Sequence, residues 1–519
     1  QIPSFIETRQ TRHSILTREY CKRQAQEIQS NPSEGLEHIG FGRKYSYIHI
    51  RNNTDPHVRQ ALKMFDREAY EAIGGKTRLG AGLRGMYDAL LRYHGPSQKK
   101  HQLPPRVREA MDIAIETTRA AFKLPYKSRI AHNTEVLQEL RPDTSAGYSF
   151  PGKTKGEVLP QIFSLSRKIQ HFMKQTNKTQ FNPTKVTFPP CMAAKRGAIS
   201  PITEPKTRLV WVYPAEILLA EGRFAIPLYE AYAKPGSPLL AGGNTDVLCK
   251  DWLSLKHNFS HIIGMDISSF DTTVAPYLIH TAFDILEENI EFAEIGSSSR
   301  SERGKRHIFD ALKWYFLNTP IAMPDGNFYR KHKGVPSGSF FTQIVDSIVN
   351  YIYVNFTATL QNCPIFHLRV LGDDSGFFSS KFSINLATKH FGKYLKITMH
   401  PDKCEATDNP AGFKLLGFKY PGGKRYRSSL EWFEMALYPE TPVQNLGTSF
   451  TRLVGIFFAG GMHCRAFNKF FNYYQSGYPV PTEGKFSKST QRWLRVTLGP
   501  SAPTTWSIGS MNRARLFTF

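Results

Sequence analysis

Acidic residues are scarce in this chain of 519 residues: Asp and Glu number 43 against 67 Lys and Arg, a formal charge of +24. A folded protein with that surplus favours polyanionic partners, nucleic acid above all. Cysteine is scarce too. Cys21, Cys191, Cys249, Cys363, Cys404 and Cys464 are scattered and form no C-x-x-C pair, which points to a reducing compartment and away from a disulfide framework or a zinc finger. Cys363/His367 and His400/Cys404 have helix-like spacing, but a four-ligand zinc site needs more members than either pair offers. No run approaches the roughly 18–20 apolar residues that span a bilayer, so no membrane partner is expected. The first thirty residues are polar and basic and hold no signal-peptide core; the sequence opens on Gln1 rather than Met, which leaves room for residues upstream. Solenoid repeats and low-complexity tracts are absent. Core material is plentiful: 40% of residues are hydrophobic and 13% aromatic, which excludes whole-chain disorder. At about 100–200 residues per domain the length allows three or four lobes.

From 57 to 175 the pattern is mostly helical, and 104–124 keeps apolar residues at three- and four-residue spacing behind a Pro start. Residues 183–210 break into Pro, Gly and basic residues and read as irregular or extended. Helices are expected over 214–233, 246–257, 277–292, 307–317, 340–360 and 383–396. The stretch 261–267 (HIIGMDI) is a short apolar strand. Residues 365–378 read as a β-hairpin around Gly-Asp-Asp-Ser-Gly, and 413–427 as a second around Pro421-Gly422-Gly423. The middle is therefore α+β, a small antiparallel sheet with helices, between a large N-terminal and a smaller C-terminal region.

Asp373-Asp374 sit at the first hairpin's tip, and Asp266 and Asp271 follow the short strand with D-x4-D spacing. Two adjacent strands ending at one edge would bring Asp266 beside Asp373. Three carboxylates in one place call for cations, and hard oxygen ligands suit Mg²⁺. Alone, an acidic pair in a turn is ordinary turn chemistry. It has company: Gly334-Val335-Pro336-Ser337-Gly338 feeds a helix carrying Thr342 and Asn350, and a Ser-Gly turn at a helix N-terminus offers N–H groups and hydroxyls to phosphate or ribose. By itself that is a capped helix. The order D-x4-D, then SG-x3-T, then GDD, each on its expected element, is the motif A, B and C series of viral RNA-dependent RNA polymerases. GVPSGSFFTQIVDSIVN closely resembles the polymerases of partitiviruses, whose genomes are double-stranded RNA.

The resemblance extends along most of the chain. Thr144-Ser145-Ala146-Gly147-Tyr148 resembles motif G, which lines the template path. Lys195-Arg196 and Lys206-Thr207-Arg208 resemble motif F, the basic fingertip that grips an incoming triphosphate; one acid, Glu204, lies among four cations, and Arg can bind phosphate bidentately. Pro401-Asp402-Lys403 matches the end of motif D, whose lysine protonates departing pyrophosphate, a step open to an ammonium group. Phe413–Tyr420 and the following hairpin resemble motif E, where Lys419, Lys424, Arg425 and Arg427 could meet product backbone. At the motif A position where reverse transcriptases carry a bulky aromatic stands Asp271, able to accept from a ribose 2′-OH. Many positive-strand viral polymerases place Asn four residues after the motif B Thr; here that residue is Asp346, with Asn350 a turn further, and either could complete ribose selection.

The resemblance implies a right-handed polymerase. Residues 1–60 would form an extension bridging fingers and thumb, 61–258 and 287–335 the fingers, 259–286 and 336–427 a palm built on an antiparallel sheet, and 428–519 the thumb, with N-terminal and fingertip contacts to the thumb closing the site. Asp266, Asp373 and Asp374, with the carbonyl of Ile267, would hold two Mg²⁺ or Mn²⁺ ions; Lys195, Arg196, Lys206, Arg208, Asp271, Ser337, Thr342 and Asn350 would bind the rNTP; and Thr144, Ser145, Gly147, Gly338, Lys419, Lys424 and Arg425 would meet template and product RNA. The expected partners are RNA, rNTPs and a viral capsid protein, and the expected location is the virion interior in the host cytoplasm. Two rivals remain. Gly147–Thr154 fits the spacing GxxxxGK[ST] of a P-loop, which makes an NTPase or helicase the alternative, although LQELRPDTSA before it is too polar for a buried strand. A non-catalytic RNA-binding or capsid protein would explain the charge but not the carboxylates.

Overall fold

The computed structural model describes residues 3–46, 54–175, 188–241, 245–255, 261–294 and 296–516. Residues 183–187 of the expected extended stretch, and 256 and 257 of the expected helix over 246–257, lie outside them. The organising element is the helix Thr342–Leu360, apolar on almost every side and buried for most of its length, as a helix hydrophobic all round must be. The helices Pro105–Ala121 and Pro276–Glu288 and the strand Phe366–Leu371 pack against it.

Of the two main sheets, the smaller packs on this helix. The smaller has four antiparallel strands in the order Glu405–Thr407, His261–Gly264, Asp374–Ser379, Phe366–Leu371. The larger has five, in the order Leu36–Phe41, Asn327–Lys331, Pro320–Ala322, Cys191–Gly197, Thr207–Val212, with one parallel pairing, between Cys191–Gly197 and Pro320–Ala322. The helix Ala215–Tyr232 follows the edge strand of the larger sheet and packs against the helices Asn133–Glu139, Leu159–Gln175 and Ser299–Leu317. Pro227 inside it has no N–H to give, and the carbonyl of Arg223 four residues earlier accepts from the Ala131 N–H instead, at 2.8 Å.

A second apolar cluster joins distant parts of the chain. Val58, Leu62 and Ile73, from the helices Pro56–Phe65 and Arg67–Ala72 and the residue after them, pack with Trp432, Phe450, Phe467 and Phe471. Buried Asp55 caps the first of these helices through the N–H groups of His57 and Val58. It also takes Arg452 Nη1 and Ser449 Oγ at 2.7 Å each, so the cap doubles as the seam between segments almost four hundred residues apart.

Most expected elements are present. The 307–317 helix starts earlier, at Ser299, because Ser298 caps it and Glu302 pairs with Arg306 one turn on; a polar stretch laced with such pairs is a solvated helix rather than a loop. The helix expected over 383–396 is Ile384–His390 followed by a π turn, Phe391–Leu395. The second hairpin narrows to one mutually hydrogen-bonded pair, Lys419 and Tyr426, around a 3₁₀ turn at Pro421–Gly423. Among the described residues no helix is long and apolar enough to cross a membrane.

Candidate active site

Strand register brings the acidic residues together. Phe377 pairs with Ile263 and Phe378 with Ile262; carried on past the strand end, that register sets Asp374 opposite Asp266. Asp373 is at the tip between Phe366–Leu371 and Asp374–Ser379, where Gly372 takes φ +62°. The Asp266 N–H donates to Cys404 Sγ, just ahead of the neighbouring edge strand, at 3.3 Å, and Ile267 bridges to Met399. Between Asp266 and Asp271 the chain turns through Ser269 at φ +51°, a left-handed conformation costing about 1–2 kcal/mol for a non-glycine residue. Such strain persists only where the surroundings over-determine it.

The charges feel one another. The Asp374 carboxyl is lifted to about 6, first by desolvation and then by Asp373 and Asp266, with Lys414 opposing; its side chain opens onto the cleft, so solvent screens part of this repulsion. Asp271 is likewise lifted to about 6 by burial and Asp373, with a hydrogen bond to Asp346 and the charge of Arg208 opposing. Asp346, 4% exposed, is raised well above the usual carboxyl range by burial and by Asp271 and Asp373. Burial and the two neighbouring carboxylates thus favour the neutral form of Asp346, which stands next to Asp271. The hard oxygens of Asp266, Asp373 and Asp374 suit a divalent cation, and their mutual repulsion is what such a cation would relieve. The donor chemistry fits, although among the described residues no three acidic, His or Cys side chains already stand at metal-ligand spacing.

The tip is held from behind. Ser347 Oγ donates to Gln343 O at 2.6 Å and accepts from the Gly372 N–H at 2.8 Å, while Asn350 Nδ2 donates to Gly372 O at 3.1 Å. The two peptide units that flank Gly372, the second of which leads into Asp373, are thus both tied to the central helix. The loop ahead of that helix is equally constrained. The Val335 N–H donates to Asp271 O at 2.6 Å, and the Trp211 N–H to Ser337 Oγ at 3.2 Å. Thr342 Oγ1 donates to Pro336 O. A Cβ on Gly338 would stand 1.8 Å from Trp211 O, so only glycine fits there.

A family model described as viral RNA-dependent RNA polymerase matches residues 70–475. The chain belongs to the viral RNA-dependent RNA polymerase family. It is 32% identical over 259 residues to the RNA-directed RNA polymerase of Cryptosporidium parvum virus 1 (strain KSU-1), covering 47% of this chain and 44% of that polymerase. To the RNA-directed RNA polymerase of white clover cryptic virus 1 it is 26% identical over 250 residues, covering 42% and 40%. The chain thus matches less than half the length of these relatives. In fold it is similar to the crystal structure of an insertion-loop deletion mutant of a human picorbirnavirus RNA-dependent RNA polymerase, with a TM-score of 0.59 at 13% identity, covering 86% of this chain and 83% of that one. The architecture is the right-hand polymerase fold, with the four-stranded antiparallel sheet in the place of the palm.

In this polymerase fold the remaining expected residues fall unevenly. Arg196 and Arg208 lie directly opposite each other on Cys191–Gly197 and Thr207–Val212. Like charges so placed repel unless an anion lies between or beside them. Lys206, two before Arg208, shares that face by strand alternation. Lys195 takes the other face, where Nζ donates to Leu79 O at 2.9 Å. Arg196 pairs with Glu440 at 2.5 Å, which also takes Arg78 at 3.2 Å. Lys76 pairs with Glu434, and Tyr438 OH donates to Ile73 O. Lys403 is exposed in the 3₁₀ turn Pro401–Lys403, next to the cysteine that holds Asp266. Buried Lys155 holds the Thr144–Gly147 loop, donating to Thr144 Oγ1 and Ser145 O at 2.8 Å each.

Arg425 departs from expectation. It is 3% exposed, and its guanidinium donates to Ala459 O and Thr497 O and stacks over Phe418. It ties the C-terminal region together and cannot meet an RNA backbone. Asn350, fully buried, turns its amide toward Gly372. The P-loop alternative also falls. Gly147–Thr154 is a turn closed by the Ala146 N–H on Lys153 O and the Lys155 N–H on Thr144 O, and it follows the helix Asn133–Glu139 rather than a strand. Three residues escaped sequence reasoning: Glu221, Ser347 and Glu440. The first had a signal, since an acid inside the apolar run AEILLAEGRFAIPL needs a partner.

Proposed function

We propose that this chain catalyses template-directed RNA synthesis from rNTPs, serving both replication and transcription of a double-stranded RNA genome. The observation that carries this reading is the register setting Asp266 against Asp374, with Asp373 at the adjoining tip and the Asp271–Asp346 pair behind. Asp266, Asp373, Asp374 and the Ile267 carbonyl would hold two Mg²⁺ or Mn²⁺ ions, which when bound supply charge neutralisation and hydroxyl activation for phosphoryl transfer. Arg208, Arg196 and Lys206 neutralise the triphosphate. Lys403 gives a proton to the departing pyrophosphate. Asp271, next to Asp346, accepts from the ribose 2′-OH, and Ser337 and Thr342 shape that side of the site. Asn350 acts one step back, through the peptide of Gly372. The Thr144–Gly147 loop, Gly338, Lys419 and Lys424 border the RNA, whose sequence is read by base pairing, so contacts to it are mainly to backbone and salt-sensitive.

The ion pairs of Lys76, Arg78 and Arg196 with Glu434 and Glu440, and the apolar seam of Val58, Leu62 and Ile73, support a closed ring of fingers and thumb that holds template and nucleotide in place. A capsid partner and a location inside the virion rest on the resemblance to partitivirus polymerases. The test is incubation of the chain with single-stranded RNA, four rNTPs and Mg²⁺, without primer. Full-length labelled duplex is the expected product. Product only with an added primer would remove primer-free initiation, and no product under either condition would refute the reading.

A further inference from the structure

The loop that carries Ser337 and Gly338 rests on a buried acid. Glu221, in the helix Ala215–Tyr232, is fully buried. Ser339 Oγ lies 2.8 Å from each of its carboxylate oxygens, and the Phe340 N–H donates to Oε2 at 2.9 Å. Ser339 Oγ in turn accepts from the Phe341 N–H at 3.0 Å. Among the described residues no Lys, Arg or His pairs with Glu221. A carboxyl in that setting carries a desolvation penalty without a compensating cation, and burial pushes its carboxyl up to about 8. A methyl or amide side chain would serve packing at lower cost, so what distinguishes Glu221 is the geometry it imposes.

That geometry reaches the nucleotide. One helix holds the loop twice, because Tyr229 OH donates to Phe340 O and accepts from the Ile344 N–H, at 3.0 Å each. On the other side of Ser339, Gly338 is pressed against Trp211 O and Ser337 Oγ takes the Trp211 N–H. With the strand on one side and Glu221 on the other, the peptide units from 337 to 341 have one seat. Freed from Glu221, the loop would keep the Trp211 contact and the Tyr229 bonds to Phe340 and Ile344 but lose its anchor at Ser339 and at the Phe340 N–H.

We propose that Glu221 is a positioning residue for nucleotide addition, fixing the 337–341 turn so that Ser337 keeps its place at the ribose. This rests on the polymerase reading above. Glu221→Ala leaves Ser339 Oγ and the Phe340 N–H without their acceptor. Leaving a buried hydroxyl and a buried N–H unpaired corresponds to roughly a tenfold or larger rise in the KM for rNTP, with a matching loss of discrimination between rNTP and dNTP. Affinity for the template–primer duplex stays within twofold, and Glu221→Gln, which keeps one acceptor oxygen, recovers most of the effect. Ser339→Ala removes the same hydroxyl with little change of volume and gives a smaller shift in the same direction, whether or not Glu221→Ala folds. Steady-state incorporation on a fixed primer–template, with rNTP and dNTP in parallel, reads all three. A merely structural role predicts fewer active molecules with unchanged KM and selectivity; that result, or KM and selectivity within twofold of wild type in Ser339→Ala, overturns the proposal. A wild-type chain that adds no nucleotide would sink the polymerase reading together with this one, whereas an active wild type with indifferent variants would sink this one alone.

Discussion

Ser347→Ala tests how the acidic tip is held. The hydroxyl donates to Gln343 O, which turns its lone pair toward the Gly372 N–H. Both Ser347 and Gly372 are buried, so no solvent replaces the lost acceptor, and a buried N–H left unpaired costs about 1–3 kcal/mol. The chain can avoid that cost only by moving the Gly372 peptide, against its second tie from Asn350. Asp373 follows immediately, so the movement passes to the carboxylates. A misplacement of about 1 Å at reacting groups is worth roughly a hundredfold in rate. Ser347→Ala is therefore expected to lower the single-turnover incorporation rate about ten- to a hundredfold and to raise the Mg²⁺ concentration for half-maximal rate. RNA affinity and the KM for rNTP should stay within about threefold, because Arg196, Arg208 and Asp271 are untouched. Rapid-quench incorporation on preformed primer–template complexes across a Mg²⁺ titration measures both quantities. A variant with wild-type rate and wild-type Mg²⁺ dependence would refute the reasoning, because the tip would then need no support from the central helix.

Three further outcomes are expected. Asp373→Asn should abolish incorporation while leaving RNA binding intact, and Lys153→Ala, at an exposed position paired only with Glu157, should leave synthesis near wild type; primer extension and filter binding on the two variants separate these. Glu440→Gln should free Arg196 for the triphosphate and lower the KM for rNTP by about two- to fivefold, the weight of an exposed ion pair of at most ~1 kcal/mol; an unchanged or raised KM counts against that competition. Lys155 has its ammonium lowered to about 8, mainly by burial and then by Arg141, so between that value and its ordinary one near 10.4 the folded chain binds fewer protons than the unfolded chain. Stability from this group therefore rises with pH across that window, and wild type should gain about 2 kcal/mol on Lys155→Met from pH 7.5 to 9.5; denaturant melts of both at the two pH values check the sign.

How much of this was legible in the sequence depends on range. The helices over 104–124, 214–233 and 340–360 and the acidic hairpin follow from apolar spacing and turn residues, which act within a few positions of one another. The motif order carried the family, because D-x4-D, SG-x3-T and GDD on those elements form a local pattern that survives when little else in the sequence does. Even so, Ser299–Leu317 begins eight residues ahead of the expected start at 307, since its solvated first turns leave no apolar stripe to read.

What the tertiary structure decided was which residue faces which. By type, Arg425 and Arg427 both qualified for RNA; packing put the first under the C-terminal helices, where two carbonyls and the Asp246 carboxylate meet its charge. Asn350 and Asp346 were equal candidates for the ribose until the central helix turned one toward Gly372 and the other toward Asp271. Lys195 and Arg196 are neighbours in sequence and lie on opposite faces of a strand. The meeting of Asp266 with Asp374, and of Glu221 with Ser339, joins residues more than a hundred positions apart, and no local spacing specifies such a meeting. Local preference is an energy of a few neighbouring residues, readable one segment at a time, whereas long-range register and burial are settled by the packing of the whole chain.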